Sequence, residues 1–216
     1  MATDPLPDRP PTSHERQSGR SWDASYQDGP APWDIGAPQP AVRRLAAAGG
    51  FAAPILDAGC GTGENALFLA SLGLPVFGVD VAETAVRAAA LTASDRGLDA
   101  TFAVADALHL ERLDRRFLTV LDCGLFHTFD TAERHAYVSS LAAATEPGGT
   151  LHILCFSDLA ATPGPHPVSR AALAEPFDTD PRWQVVSIHP DTLRTRFSDA
   201  SAAWLATIHR LAPDTD

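Results

Sequence analysis

The chain has 216 residues, 45% apolar and 20% charged, which suits one globular domain able to fold without staples and excludes disorder for most of its length. Sixteen basic against 27 acidic side chains leave a formal charge of −11, so nucleic acid and anionic membranes are poor partners. All sixteen basic residues are arginine, and without lysine there is no pyridoxal Schiff base, no Walker-type phosphate loop and no lysine general base.

The opening residues Met1-Ala2-Thr3-Asp4-Pro5-Leu6-Pro7-Asp8 carry neither a basic n-region nor an apolar stretch. The longest uncharged apolar run, between Glu64 and Asp80, is broken by Gly73 and Pro75, so a cytoplasmic chain without a membrane span is expected. Cys60, Cys123 and Cys155 are widely spaced with no C-x-x-C pair, which predicts small buried residues and no metal site.

Pro5, Pro7, Pro10 and Pro11 among polar residues make 1–13 read as a mobile tail. Residues 14–48 read as a lid, with a helix over 15–27, a turn-rich stretch from Gly29 to Gly36 and a second helix over 40–48. From residue 49 to 216, short Val/Ile/Leu runs alternate with helical patterns, as βα units around a parallel sheet require. Strands are expected at 54–58, 75–80, 100–105, 117–122 and 150–156, and helices at 64–72, 82–96 and 131–145. A loop, Thr162-Pro163-Gly164-Pro165-His166-Pro167, precedes a short helix from Ser169 and two last strands at 183–188 and 203–209.

The most informative stretch is Ile55-Leu56-Asp57-Ala58-Gly59-Cys60-Gly61-Thr62-Gly63-Glu64, a strand entering a glycine-rich turn that opens a helix. A dinucleotide fingerprint needs a third glycine where Glu64 stands, and that acid would meet a pyrophosphate with like charge. Acids around three alternating glycines suit a cationic cofactor without phosphate, a description that S-adenosylmethionine meets. Asp80 ends the next strand, 23 residues past Asp57, where a carboxylate can accept from ribose hydroxyls. Asp106 ends the third and would lie beside the adenine amine, although either acid could instead cap a helix.

After the fourth strand, Leu121-Asp122-Cys123-Gly124-Leu125-Phe126-His127-Thr128-Phe129 offers an acid, a histidine and two aromatics at the methyl-bearing end. His127 is the leading general-base candidate, with a loop histidine hydrogen-bonded to its neighbours as the alternative. His166 is a weaker candidate, and His152, near the start of its strand, should be remote. Trp22, Tyr26 and Trp33, ahead of the first strand, could close a pocket over a sulfonium and a planar acceptor, or simply anchor the arm.

The glycine loop resembles that of class I S-adenosylmethionine-dependent methyltransferases. Tyr26-x-x-x-Pro30-x-Pro32-Trp33-Asp34-x-Gly36-x-Pro38-x-Pro40 ahead of it resembles the thiopurine, halide and tellurite methyltransferase group, most of all its bacterial members acting on heterocyclic toxins such as hydroxyquinolones. Over residues 20–210 the resemblance implies a Rossmann-like α/β fold with a seven-stranded, mostly parallel sheet, one antiparallel strand and an N-terminal helical lid. The expected cofactor-binding set is Trp33, Asp57, Gly59, Gly61, Gly63, Asp80, Val81, Asp106, Ala107, Asp122 and Cys123, with Tyr26 and His127 facing the acceptor. The implied activity is methylation of a small aromatic or heterocyclic molecule, most simply at a hydroxyl, with a thiol or ring nitrogen as alternatives, in detoxification or natural-product tailoring, by a monomer or weak homodimer. Rival readings are a nicotinamide-dependent oxidoreductase, which Glu64 argues against, and a non-catalytic S-adenosylmethionine binder.

Overall fold

The structure, a computed structural model, describes residues 6, 9–159 and 166–212. Seven strands, β1 (Ile55–Ala58), β2 (Val76–Asp80), β3 (Ala100–Val104), β4 (Phe117–Cys123), β5 (Thr145–Phe156), β6 (Trp183–Thr195) and β7 (Ser198–Arg210), form one sheet in the order β3-β2-β1-β4-β5-β7-β6. Pairings from β3 through β5 are parallel, and β7 runs antiparallel to both its neighbours. The order reverses between β2-β1 and β4, so the carboxyl ends of these strands open on a crevice, the place where α/β sheets hold ligands.

The central strands are apolar on both faces because helices cover both. Ile55 and Leu121 face one core with Leu69, Val42 and Phe51; Leu56 and Val120 face the other with Tyr137, Leu141 and Phe177. The covering helices are α3 (Pro40–Ala47), α4 (Glu64–Ser71), α5 (Glu83–Arg96), α6 (Thr131–Ala144) and α7 (Arg170–Asp178). Helix α6 starts on a capping box in which Asp130 and Glu133 satisfy each other's backbone N–H groups, and α5 stops at Gly97 in the left-handed conformation.

Three expectations are corrected. The helix over 15–27 is two, α1 (Ser13–Ser18) and α2 (Ala24–Gln27), because Gly19 at φ 66 caps the first with a left-handed turn. The last strands are a long hairpin, β6 pairing with β7 from Trp183↔Arg210 to Thr195↔Ser198. Pro190 is tolerated in β6 because that strand is the sheet's edge. Thirdly, Arg9 to Ser13 pack against the domain and do not belong to a mobile tail. Thr12 caps α1 in a capping box with Glu15, and Ser13 donates from N and Oγ to the Glu133 carboxylate. Residues 1–5, 7 and 8 of that stretch, and 160–165 of the Pro-rich loop, lie outside the described residues. Among the described residues, no helix is long and apolar enough to cross a membrane, and no group of three or more His, Cys, Asp or Glu is placed to hold a metal.

Candidate functional site

A cleft opens over the carboxyl ends of β1, β2 and β4, floored by the loop that follows β1. Gly61 adopts φ 53, and a Cβ there would stand 2.9 Å from the Tyr26 hydroxyl. A side chain would therefore push away the aromatic that covers the loop. Gly63 adopts φ 82 and lies beneath Phe102 and Ala89, each 2.9 Å from where its Cβ would be. It serves helix packing and does not line the cleft, a correction to its place in the cofactor set.

The loop's N–H groups are largely consumed within the protein. Gly59 and Cys60 both donate to the Val79 carbonyl at 2.8 and 2.9 Å, and Gly63 donates to the Cys60 carbonyl at 2.9 Å. Gly61 donates to Asp80 Oδ2 at 2.9 Å, while Asp80 Oδ1 accepts from Ala82 N at 2.9 Å. A diphosphate would find few free donors and the half-buried Asp80 carboxylate in its way. Burial raises the pKa of Asp80, and the N–H groups of Ala82, Gly61 and Val81 oppose the rise. Each of its oxygens keeps a lone pair for a further donor such as a ribose hydroxyl.

Val81, Asp106, Ala107, Cys123, Gly59 and Trp33 also line the cleft. Asp106 is in addition the cap of a 3-10 helix, Ala107–Leu113, its Oδ1 accepting from Leu108 N at 2.9 Å. The capping reading of that acid is thus seen directly, and the same side chain also lines the cleft.

Asp57 and Asp122 are placed differently from expectation. Both are buried behind the cleft wall and neither lines it. Asp122 accepts from Leu125 N and Phe126 N, fixing the turn that carries His127, whereas neither oxygen of Asp57 has a hydrogen-bond partner among the described residues. Burial, then the Asp122 charge, pushes Asp57 up to about 7; burial also raises Asp122 to about 7, against the N–H groups of Leu125 and Phe126.

The upper wall is aromatic and histidine-rich. Trp33 Nε1 donates to the Tyr26 hydroxyl at 2.8 Å, and Trp22 stands edge-on to Trp33 at 5.6 Å. His14, on α1, stacks on Trp22 at 4.5 Å and meets His166 with Nδ1 to Nε2 at 3.0 Å. His127 receives the Phe156 N–H at Nδ1, 3.4 Å, and its ring packs 4.6 Å from that of Phe156. An uncharged imidazole that accepts at Nδ1 carries its hydrogen on Nε2. Burial first, then neighbouring His166 and Arg134, lowers the His127 pKa to about 3. His152 bonds to Gly50 O and Thr207 Oγ1 away from the cleft.

Glu15 organises this wall from behind. It accepts from Arg9 at 2.6 and 2.8 Å, from Thr12 N and from Trp22 N. Burial alone would raise its pKa, but the Arg9 guanidinium and the two backbone N–H groups hold it low. His14 and Thr12 line the cleft and were missed by sequence reasoning, whereas Trp22, read as an aromatic that could close a pocket, also lines it. The Thr12-x-x-Glu15 capping box was the available signal for α1; the contact that carries His14 to His166 is tertiary.

A sheet reversing at β1, a glycine loop closed to phosphate and an acid at the end of β2 define a site for an adenosyl cofactor without phosphate. The methyltransferase-domain family matches residues 55–149. A 2-heptyl-1-hydroxyquinolin-4(1H)-one methyltransferase from Mycobacteroides abscessus is 40% identical over 182 residues, 81% of this chain and 79% of that protein. The chain belongs to the class I S-adenosylmethionine-dependent methyltransferases. Among solved structures, one determined for the conversion of a disulfide bond into a thioacetal group during echinomycin biosynthesis superposes with TM-score 0.81 at 37% identity, covering 90% of this chain and 92% of that one. A magnesium protoporphyrin IX methyltransferase from Synechocystis with bound S-adenosylmethionine aligns with TM-score 0.60 at 25% identity, covering 79% and 76%. The cofactor is S-adenosylmethionine, which supplies an electrophilic methyl group, and Asp80, Asp106, Trp33 and Tyr26 line the cleft that would receive it.

Proposed function

We propose that this protein transfers a methyl group from S-adenosylmethionine to a hydroxyl of a small, planar heteroaromatic acceptor. The observation that carries this reading is the composition of the upper wall, where Trp22, Trp33, Phe129 and Phe156 share the cleft with the imidazoles of His14, His127 and His166. Flat apolar faces hold a ring system, and imidazoles hold or move one proton. Arg9, the cation on this wall, is bound to the Glu15 carboxylate. The hydroxyquinolone methyltransferase that is 40% identical supports the same acceptor class.

On this reading Asp80 and Asp106 orient the cofactor, the aromatics exclude water and align the acceptor for in-line displacement, and His127 Nε2–H donates to the acceptor oxygen. The role first expected of His127, removal of the proton, passes to another group, because its accepting nitrogen is occupied. Asp57 and Asp122 act behind the wall. The acidic balance of the chain and the aromatic lining of the cleft favour a free small molecule over nucleic acid, in a cytoplasmic monomer or weak homodimer.

Sulfur methylation is the second reading, supported by the relative associated with disulfide-to-thioacetal conversion. The test is incubation with labelled S-adenosylmethionine and 2-heptyl-1-hydroxyquinolin-4(1H)-one, 8-hydroxyquinoline, thiophenol and thiocyanate, with products read by mass spectrometry. Label on the hydroxyl compounds is expected. Label confined to the sulfur acceptors would transfer the assignment to sulfur.

A further inference from the structure

We infer that His14 and His166 act together as the proton acceptor for the acceptor hydroxyl; the inference rests on the hydroxyl-methylation reading above. Both rings line the cleft, and their Nδ1 and Nε2 nitrogens lie 3.0 Å apart. At that distance two neutral imidazoles share one hydrogen. If His14 Nδ1 donates, His14 Nε2 is a free lone pair; if His166 Nε2 donates, His166 Nδ1 is. Either arrangement leaves the pair with one basic nitrogen, and a proton gained on either ring leaves an imidazolium hydrogen-bonded to its neutral neighbour.

The surroundings hold this arrangement in place. Trp22 lies parallel to His14 within 16°, fixing the ring plane. His166 sits at φ 54, a left-handed conformation that a histidine adopts at a cost, as side chains held at functional sites often do. The titratable and charged neighbours are Glu15 on the same helix, engaged by Arg9, with His127 and Arg134 across the cleft wall. Burial and then His166 lower the pKa of His14, which keeps that ring uncharged and able to accept at neutral pH.

In the step, the acceptor O–H bond breaks, its proton goes to the imidazole pair and its electron pair stays on oxygen. That oxygen forms the new O–C bond while the C–S bonding pair remains on sulfur, giving the methyl ether and S-adenosylhomocysteine. The proton then leaves the pair to solvent.

The experiment compares wild type, His14→Gln, His166→Gln and the double variant on 2-heptyl-1-hydroxyquinolin-4(1H)-one, measuring kcat from about pH 6 to about pH 10, with S-adenosylhomocysteine affinity by calorimetry. Each single variant should lose about 10²- to 10⁴-fold in kcat below the acceptor's own pKa. The double should lose no more, because the two rings act as a unit. The deficit should close as pH passes the ionisation of the acceptor, since an anion needs no base. Cofactor affinity should be unchanged. A deficit that is the same at every pH, or no deficit, would overturn the pair. Wild type that binds S-adenosylhomocysteine but methylates no hydroxyl compound would instead overturn the hydroxyl reading, and the pair with it.

Discussion

Asp80 is oriented before any ligand arrives, because Gly61 N and Ala82 N hold its two oxygens at 2.9 Å. On the reading that it accepts from the ribose, Asp80→Ala should weaken S-adenosylhomocysteine binding by about 10- to 150-fold, the effect of losing hydrogen bonds to a charged group at about 1.5–3 kcal/mol. Unaltered calorimetric affinity would remove it from the site. Asp57 has a different signature. An unfolded aspartate releases its proton near about pH 3.9, while folded Asp57 keeps its proton to about 7. Between these values the folded state binds the extra proton, so this residue's effect on stability worsens as pH rises. Asp57→Asn should therefore gain Tm relative to wild type on going from about pH 4 to about pH 8, the difference being read from melts at both. A pH-independent difference would mean that Asp57 is charged throughout.

Among the elements, the N-terminal arm is the one whose folding depends on single polar contacts. Glu15 ties Arg9, Thr12 and Trp22 together, and Ser13 ties α1 to Glu133 of α6. Deleting residues 1–13 should thus increase hydrogen exchange across α1 and α2 while leaving β1 and β4 protected; unchanged exchange would show that the aromatics alone hold the arm. The βα core was legible because its central strands β1 and β4 are short, apolar and mostly buried, and because Gly59 to Gly63 mark the turn that opens α4. The arm was legible only in part. Its aromatics were visible, but the break at Gly19 was hidden by a helix-compatible pattern on either side, and the Pro-rich start masked the capping box at Thr12. The far half of the β6–β7 hairpin was hidden by His189-Pro190-Asp191, a sequence that reads as a turn and is accommodated only because β6 has no outer neighbour. In the site, the glycine loop and the acids at strand ends lay in contiguous motifs, whereas the cleft's upper wall joins His14, His127 and His166, which are distant in sequence and which only tertiary structure brings together.

For the whole molecule, the arm is fastened to three separate parts of the domain. Ser13 holds α6, Asp23 accepts from Thr84 N of α5 at 2.7 Å, and Pro32 O accepts from Arg196 N beside the β6–β7 turn at 2.8 Å. A chain lacking residues 1–36 should keep a cooperative melt, because the two cores lie in the sheet and its helices, yet lose most methyl transfer along with His14, Trp22, Tyr26 and Trp33. Full activity in that truncation would place the acceptor elsewhere.

The inward-turned N–H groups of the glycine loop bear on how such an enzyme shares a cell with other adenosine compounds. A loop whose donors are spent on Val79 and Asp80 has little to offer a triphosphate or dinucleotide, so fluctuations in energy charge should leave its rate alone. S-adenosylhomocysteine differs from the cofactor by one methyl and meets no such barrier. Its accumulation would throttle the enzyme, making turnover a readout of the ratio of methyl donor to spent donor.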